Sequence, residues 1–273
     1  MNDLPRLSIS QVTTFHWSLP DLVAHCKDFG YEAIGLWMPR LIEFGEERAI
    51  DLIHESGLAV SSIGPSGGFT GANGHSLPDS VLDTADALEL AGRVGANSLT
   101  VYTGPRAGHT KNHSRRLVKS ALLRLADTAA EMRVQLALKP MHSVYGRNWS
   151  FLHSLKETFD LIEECDHPWL KLAFGTFQVG NQYETLIHDP ALVSRIASVQ
   201  VSDRRDAPQN EWDQHLPGDG DLPLAAIMQT LLDAEYDGFF EVDVWSRDVW
   251  NRNYADMLQT CREEFVRTVA IRR

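Results

Sequence analysis

Short apolar runs alternate with amphipathic stretches eight times along this chain, and few folds accommodate that rhythm. The runs lie at 7–10, 33–37, 58–63, 98–102, 134–139, 170–174, 198–201 and 239–244. They are too short for buried helices and suit strands of a parallel sheet covered on both faces. The stretches between them carry helix punctuation. Ser18-Leu19-Pro20-Asp21 and Ser76-Leu77-Pro78-Asp79 read as N-caps with an early helical proline, and Ser154-Leu155-Lys156-Glu157 reads as a capping box. Gly30, Gly57 and Gly95 stand where a helix must turn into the next strand. The last stretch places Tyr254, Leu258, Cys261, Phe265 and Val269 on one apolar stripe. Eight strand–helix units close most naturally into a barrel, so the expected fold is α/β, a single (β/α)8 barrel spanning 1–273 as one domain. The competitor is an open doubly wound sheet, but no Gly-x-Gly-x-x-Gly follows the first run.

Charge narrows the partners. With 25 basic against 37 acidic residues and a formal charge of −12, the chain lacks the basic surface that phosphate backbones or anionic lipid require. A small-molecule substrate is expected, with neither nucleic acid nor a membrane as partner, in a monomer or a homo-oligomer. Cys26, Cys165 and Cys261 are widely separated and lie in helical segments, so they are expected to be reduced and buried. Residues 1–10 lack the pattern of a signal peptide and no run is long enough to span a bilayer, which gives a cytoplasmic expectation. There is no Gly-x-Ser-x-Gly elbow and no cysteine in a catalytic setting, which argues against a covalent hydrolase.

In such a barrel the chemistry sits at the C-terminal ends of the strands. The residues closing them here are Gln11, Trp37, Gly64, Tyr102, Lys139, Gly175, Gln200 and Asp243. Lys139 ends the run Val134-Gln135-Leu136-Ala137-Leu138, and Asp243 ends an apolar strand that also carries Glu241 two residues earlier. A register error of two would exchange the two acids, and Asp243 is preferred because it lies nearer the mouth. His142, on the loop after the fifth strand, can move a proton at neutral pH or merely bond to backbone. Trp17, Trp37, Trp149, Trp212, Trp245 and Trp250 fall at or after strand ends, and at least two of them are expected to pack helices onto the barrel. The rest would line a mouth for a flat or partly apolar substrate, with Gln178, Gln200 and Arg147 as polar contacts. Asp203 is better suited to orienting a basic side chain than to reacting. Gly64-Pro65-Ser66-Gly67-Gly68 is a weak candidate for an anion cradle.

The order of Ala33-Ile34-Gly35-Leu36-Trp37, Lys139-Pro140-Met141-His142, Val199-Gln200-Val201-Ser202-Asp203, Leu216-Pro217-Gly218-Asp219-Gly220-Asp221 and Glu241-Val242-Asp243 resembles the sugar phosphate isomerase/epimerase family of xylose isomerase-like TIM barrels. The resemblance implies one divalent metal, held by Glu, Asp, His or Gln, and Glu after strands five to eight. Carried onto this chain, those positions are Lys139, Gly175, Gln200 and Asp243, and Gln178 replaces a histidine three residues after the sixth-strand acid. Only Gln200 matches, and Asp243 is a shortened version.

A dication near ~4 Å from an ammonium, at an effective dielectric of ~20, is opposed by about 8 kcal/mol. The expectation is therefore a metal-free, cofactor-free site in which Lys139 replaces the cation. Lys139 would either polarise a substrate oxygen while charged, or act as a base or Schiff-base former if desolvated. Asp243 would be its partner and His142 a proton shuttle, with Gln178, Gln200, Arg147, Trp245, Trp37 and Asp203 binding substrate. The implied activity is isomerisation, epimerisation or elimination, including lyase or cyclisation chemistry of secondary metabolism, on a polyoxygenated molecule. Two alternatives stand beside it: a non-catalytic ligand-binding barrel, and a metal-dependent isomerase using His142, Asp203 and Asp243.

Overall fold

In the computed structural model, which describes residues 5–72, 74–205 and 207–270 with the side chains of Val269 and Ala270 excepted, eight parallel strands close in chain order. They are β1 (Leu7–Ser10), β2 (Ala33–Trp37), β3 (Ala59–Gly67), β4 (Ser98–Tyr102), β5 (Gln135–Leu138), β6 (Leu170–Gly175), β7 (Ile196–Val201) and β8 (Phe240–Val242). β1 pairs with β8 through Leu7↔Phe240 and Ile9↔Val242, which leaves no open sheet edge. The single (β/α)8 barrel is thus the fold.

The strand ends differ from expectation where backbone pairing overrides hydropathy. β3 runs on to Gly67 because a register shift after Ile63 lets it pair through Ser66↔Val101 and Gly67↔Tyr102. The N–H of Gly68 also donates to the Tyr102 carbonyl at 2.9 Å. The glycine-rich segment therefore extends β3 along β4, and its Gly68 N–H is taken by Tyr102 rather than left for an anion. β5 and β8 instead stop one residue before the charged groups. Lys139 and Asp243 stand just past the ladders, each still donating its N–H to the neighbouring strand, at Val101 (3.0 Å) and Val201 (3.1 Å).

Alternation along each strand separates two environments. Leu138, Phe174, Val201 and Val242 belong to the apolar core between barrel and helices, whereas the barrel centre is polar and small. There the hydroxyls of Ser61 and Ser62 donate to Glu241 at 2.5 and 2.8 Å, and Ser8 bonds Ser61 at 2.6 Å. Gly35 makes this possible, since a Cβ on it would lie 2.5 Å from the Glu241 carboxyl carbon.

The helices begin as their sequences direct. Ser18 and Ser76 form complete capping boxes with Asp21 and Asp79. Ser154 accepts from the N–H of Glu157, but Lys111 holds the Glu157 carboxylate, so no reciprocal bond is recorded there. On the last helix, Tyr254–Ala270, Tyr254, Leu258, Cys261 and Phe265 are buried as the stripe requires, and Val269 lies outside the described side chains. All three cysteines are buried and free, and burial pushes the thiols of Cys26 and Cys261 up to about 12 and that of Cys165 to about 11. Among the described residues no helix is long and apolar enough to cross a membrane.

Candidate active site at the barrel mouth

The strand ends converge on a mouth cavity, partly open to solvent, which continues inward toward the barrel centre. Tyr102, Gln200, Asp243, Trp245 and Pro65 line both parts. Lys139 reaches into the outer part, and Glu241 and Trp37 line the inner one.

Lys139 is only 5 % exposed, and its Nζ lies 3.7 Å from Oδ2 of Asp243. That separation makes an ion pair but exceeds a direct N–H···O bond, so the ammonium keeps donors for a ligand. Burial pulls the Lys139 pKa down, but Tyr102, Asp243 and Glu241 together outweigh it and leave the pKa above the usual lysine value. Burial also pushes up the Tyr102 phenol, so at neutral pH Tyr102 faces Lys139 as a neutral hydroxyl. Asp243 beside Nζ favours the charged form of Lys139.

Glu241 lies deeper, at 1 % exposure against 7 % for Asp243. Asp243 is the acid recorded in an ion pair with Lys139. Burial first, then the charge of Asp243, raises the Glu241 pKa to about 7, against the opposing effect of bonds from Ser61 and Ser62 and the charge of Lys139. The folded chain therefore holds this proton more tightly than the unfolded one. The contribution of this group to stability is full below the unfolded value near 4.5 and is lost as pH rises toward about 7. Glu241→Gln, a mimic of the neutral acid, is expected to leave the melting temperature unchanged at pH 4 and to raise it at pH 8. The gain should be several degrees, given ~1.4 kcal/mol per pKa unit and ~2–4 °C per kcal/mol. A scan at the two pH values checks this, and an equal shift at both would remove the titration from the account.

Aromatic residues make the outer wall. Trp149, Trp212 and Trp245 line the outer cavity beside Met141 and Phe177, and Trp37 meets Trp245 edge-on with centroids 5.8 Å apart. Two loops are joined over the opening by a 2.9 Å bond from Nε1 of Trp149 to Glu211, and Gln214 accepts from the N–H of Trp245. Trp17 stacks on His25, and Trp250 bonds the Val12 carbonyl and stacks on Phe15. These two are the packing tryptophans.

Three expected site residues have other work. His142 is absent from the residues lining the mouth; its Nδ1 accepts from the Val144 N–H at 3.3 Å and its ring stacks on Tyr145. Burial, then the charges of Arg204 and His153, lowers its pKa, which favours a neutral loop histidine. Arg147 folds back so that Nε bonds the Ser143 carbonyl, and it lines a separate surface pocket with Arg106 and Lys111. Asp203 is buried and turned onto its own loop, accepting from Arg204, Gly218 and Leu222 backbone N–H groups at 2.8, 3.1 and 3.0 Å. It latches the loop after β7 and offers nothing to a substrate. His142, Asp203 and Asp243 therefore do not assemble a metal site, and among the described residues no three His, Cys, Asp or Glu side chains do.

By contrast Gln178, Gln200, Trp37, Trp245, Lys139 and Asp243 all line the cavity. Tyr102, which the sequence marks only as the residue closing β4, stands against Lys139. Met141, Glu211 and Gln214, from loops, and Phe177, from the short helix Thr176–Val179, also line the cavity and carry no periodic signal.

A model of the xylose isomerase-like TIM barrel matches residues 23–264. The chain belongs to that family. Among solved structures, protein SMc04130 from Sinorhizobium meliloti 1021 is 23 % identical with a TM-score of 0.87, covering 96 % of this chain and 98 % of that one. The IOLI protein, crystallised with a zinc atom, is 17 % identical with a TM-score of 0.84, covering 97 % and 98 %. The 3-keto-D-glucoside 4-epimerase YcjR from E. coli is 17 % identical with a TM-score of 0.77, covering 96 % and 98 %. At these identities the likeness is one of fold. No curated protein matches the sequence.

The metal positions expected for a xylose isomerase-like barrel do not fit a metal here. At the sixth-strand position a Cβ on Gly175 would meet Cε of Lys139 at 3.4 Å and Cγ of Gln178 at 3.1 Å. The glycine makes room for a lysine lying where an acid would stand. One carboxylate and one amide remain at the four positions, with an ammonium among them, and hard dications need more oxygen charge than that.

Proposed function

We propose that this chain is a metal-independent enzyme that moves a proton next to a carbonyl or hydroxyl group of a small polyoxygenated substrate bearing a flat part, as in isomerisation, epimerisation or elimination. The observation that carries this reading is the buried Lys139, its Nζ 3.7 Å from Asp243, at the end of an otherwise aromatic cavity. A substrate carbonyl oxygen would accept a hydrogen bond from the Lys139 ammonium. Asp243 would then take the proton from the adjacent carbon. As that C–H bond breaks, its electron pair forms the enolate C=C bond, and the negative oxygen is stabilised by a fixed, buried cation. Return of the proton to another carbon or face gives isomer or epimer, and departure of a neighbouring hydroxyl gives elimination. Tyr102, kept protonated by burial, can supply a proton to the oxygen.

Proton transfer leaves an isotopic trace. Incubation in D2O with a panel of hydroxyketones, followed by NMR, should convert one C–H adjacent to a carbonyl into C–D with the parent protein and not with Asp243→Asn. A ligand that binds at the mouth without exchanging any carbon-bound hydrogen would make this a binding protein instead. The reading places such an enzyme in the cytoplasm among specialised metabolism.

A further inference from the structure

We infer that the surface pocket lined by Arg106, Lys111 and Arg147 is a binding site for one phosphate-sized dianion, separate from the barrel mouth. Its walls come from the loops after β4 and β5 and from the starts of the helices Lys111–Met132 and Leu155–Cys165, with Ser150, Phe151, His153 and Glu157 completing the lining. The inference stands apart from the proton-transfer reading.

In a chain of formal charge −12, three cations lining one pocket need a physical reason. Pairing within the protein explains only Lys111, which holds the Glu157 carboxylate. The Arg106 side chain makes no ion pair or hydrogen bond among the described residues, and Arg147 commits only Nε, to the Ser143 carbonyl. Three cations less one carboxylate leave a surplus of two positive charges, which repel one another until an anion enters. Two guanidinium groups with uncommitted terminal N–H donors suit the oxygens of a phosphate.

The helix Lys111–Met132 provides a second observation. The helices starting at Leu19, Leu77 and Leu155 carry an acid in the first turn, at Asp21, Asp79 and Glu157. This 22-residue helix carries none and opens on Lys111 instead. A cation there opposes the helix dipole in the empty protein, whereas an anion at that end is favoured by dipole and side chain together.

The remaining polar groups shape the pocket. Ser150 bonds Thr103 and accepts from the Leu152 N–H, and His153 donates through Nδ1 to the Met141 carbonyl at 3.1 Å. Met141 and Trp149 line the mouth, while Arg147, Ser150 and His153 of the same segment line this pocket, so a bound anion lies behind the mouth wall. The negative charge of the rest of the chain repels an extended polyanion, which leaves a single small dianion as the ligand.

Isothermal titration calorimetry on the intact protein at about pH 8, where phosphate is a dianion, tests this with inorganic phosphate, phenyl phosphate and acetate at one ionic strength. Phosphate should saturate one site, and acetate, with a single charge, should bind at least about tenfold more weakly. Arg106→Gln combined with Arg147→Gln should weaken phosphate about a hundredfold, roughly tenfold for each charged hydrogen-bonding group. That variant should melt within about 2 °C of the parent in phosphate-free buffer, because both side chains are exposed. Lys139→Met, which removes the cation at the mouth, should leave phosphate affinity at the parent value. Phenyl phosphate binding no tighter than inorganic phosphate supports the free anion as ligand, and tighter binding supports the phosphate group of a larger metabolite. No saturable phosphate binding, acetate binding as tightly, or a loss that follows Lys139→Met rather than the arginine pair overturns the inference. None of these results bears on deuterium exchange, so the two readings fail separately.

Discussion

Lys139→Met should lower proton exchange by about three orders of magnitude or more, since loss of a single preorganised donor to a developing oxyanion costs ~10²–10³ and here the full charge goes as well. The same change removes the only cation recorded in an ion pair with Asp243 among the described residues. Breaking a buried pair on one side costs about 3–5 kcal/mol because the surviving charge is left uncompensated, so the melting temperature should fall by roughly 10 °C. Adding Asp243→Asn removes that charge. The double variant is therefore expected to regain most of the stability and none of the turnover. If Lys139→Met loses the same stability yet keeps its exchange rate, the pair is structural and the catalytic assignment fails. Circular dichroism melts alongside the NMR exchange assay distinguish the two.

The second large effect is a gain. Lys139→Glu combined with Gly175→Asp replaces one positive charge and one bare position with two carboxylates beside Gln200 and Asp243. Each unit of charge so changed is worth about 8 kcal/mol against a dication at ~4 Å and an effective dielectric of ~20, before the cost of removing the ion from water. The variant should hold one Mn²⁺ or Zn²⁺ through gel filtration, at least ~10³-fold more tightly than the parent. Elemental analysis of both proteins, purified without chelator, gives the answer. Stoichiometric metal in the parent would return this chain to metal-assisted chemistry and end the lysine-for-metal proposal.

Much of this architecture was legible because it depends on local pattern. Strands β1, β2 and β4 fall at the expected residues, since their apolar runs are bounded by turn-forming or polar sequence. The ends of β3, β5 and β8 were less legible, because register shifts and inter-strand bonds set them rather than hydropathy. Lys139, Gln200 and Asp243 were readable as strand ends and do reach the cavity. The errors concentrate on loops, where residue type says little about direction. His142 could have faced the mouth, but its ring nitrogen is taken by the N–H of Val144, two residues further along the loop. Asp203 is spent on three backbone N–H groups that only the folded loop brings together. Glu241 is legible only as a rival to Asp243, because its partners Ser61 and Ser62 lie 180 and 179 residues away and Gly35 gives no sign of the space it leaves.

Position 175 also limits how such a site can have arisen. With Cε of Lys139 and Cγ of Gln178 both against the place a Cβ would occupy, a lysine arriving over an acid-bearing sixth strand meets a crowded position. The crowding makes the two changes epistatic, with the cost of one depending on the state of the other. The tighter of the two contacts is with Gln178, at 3.1 Å, so glycine at 175 eases the packing of both side chains. A Cβ restored at position 175 while Lys139 and Gln178 stay in place meets the same contacts, so positions 139, 175 and 178 are expected to change together.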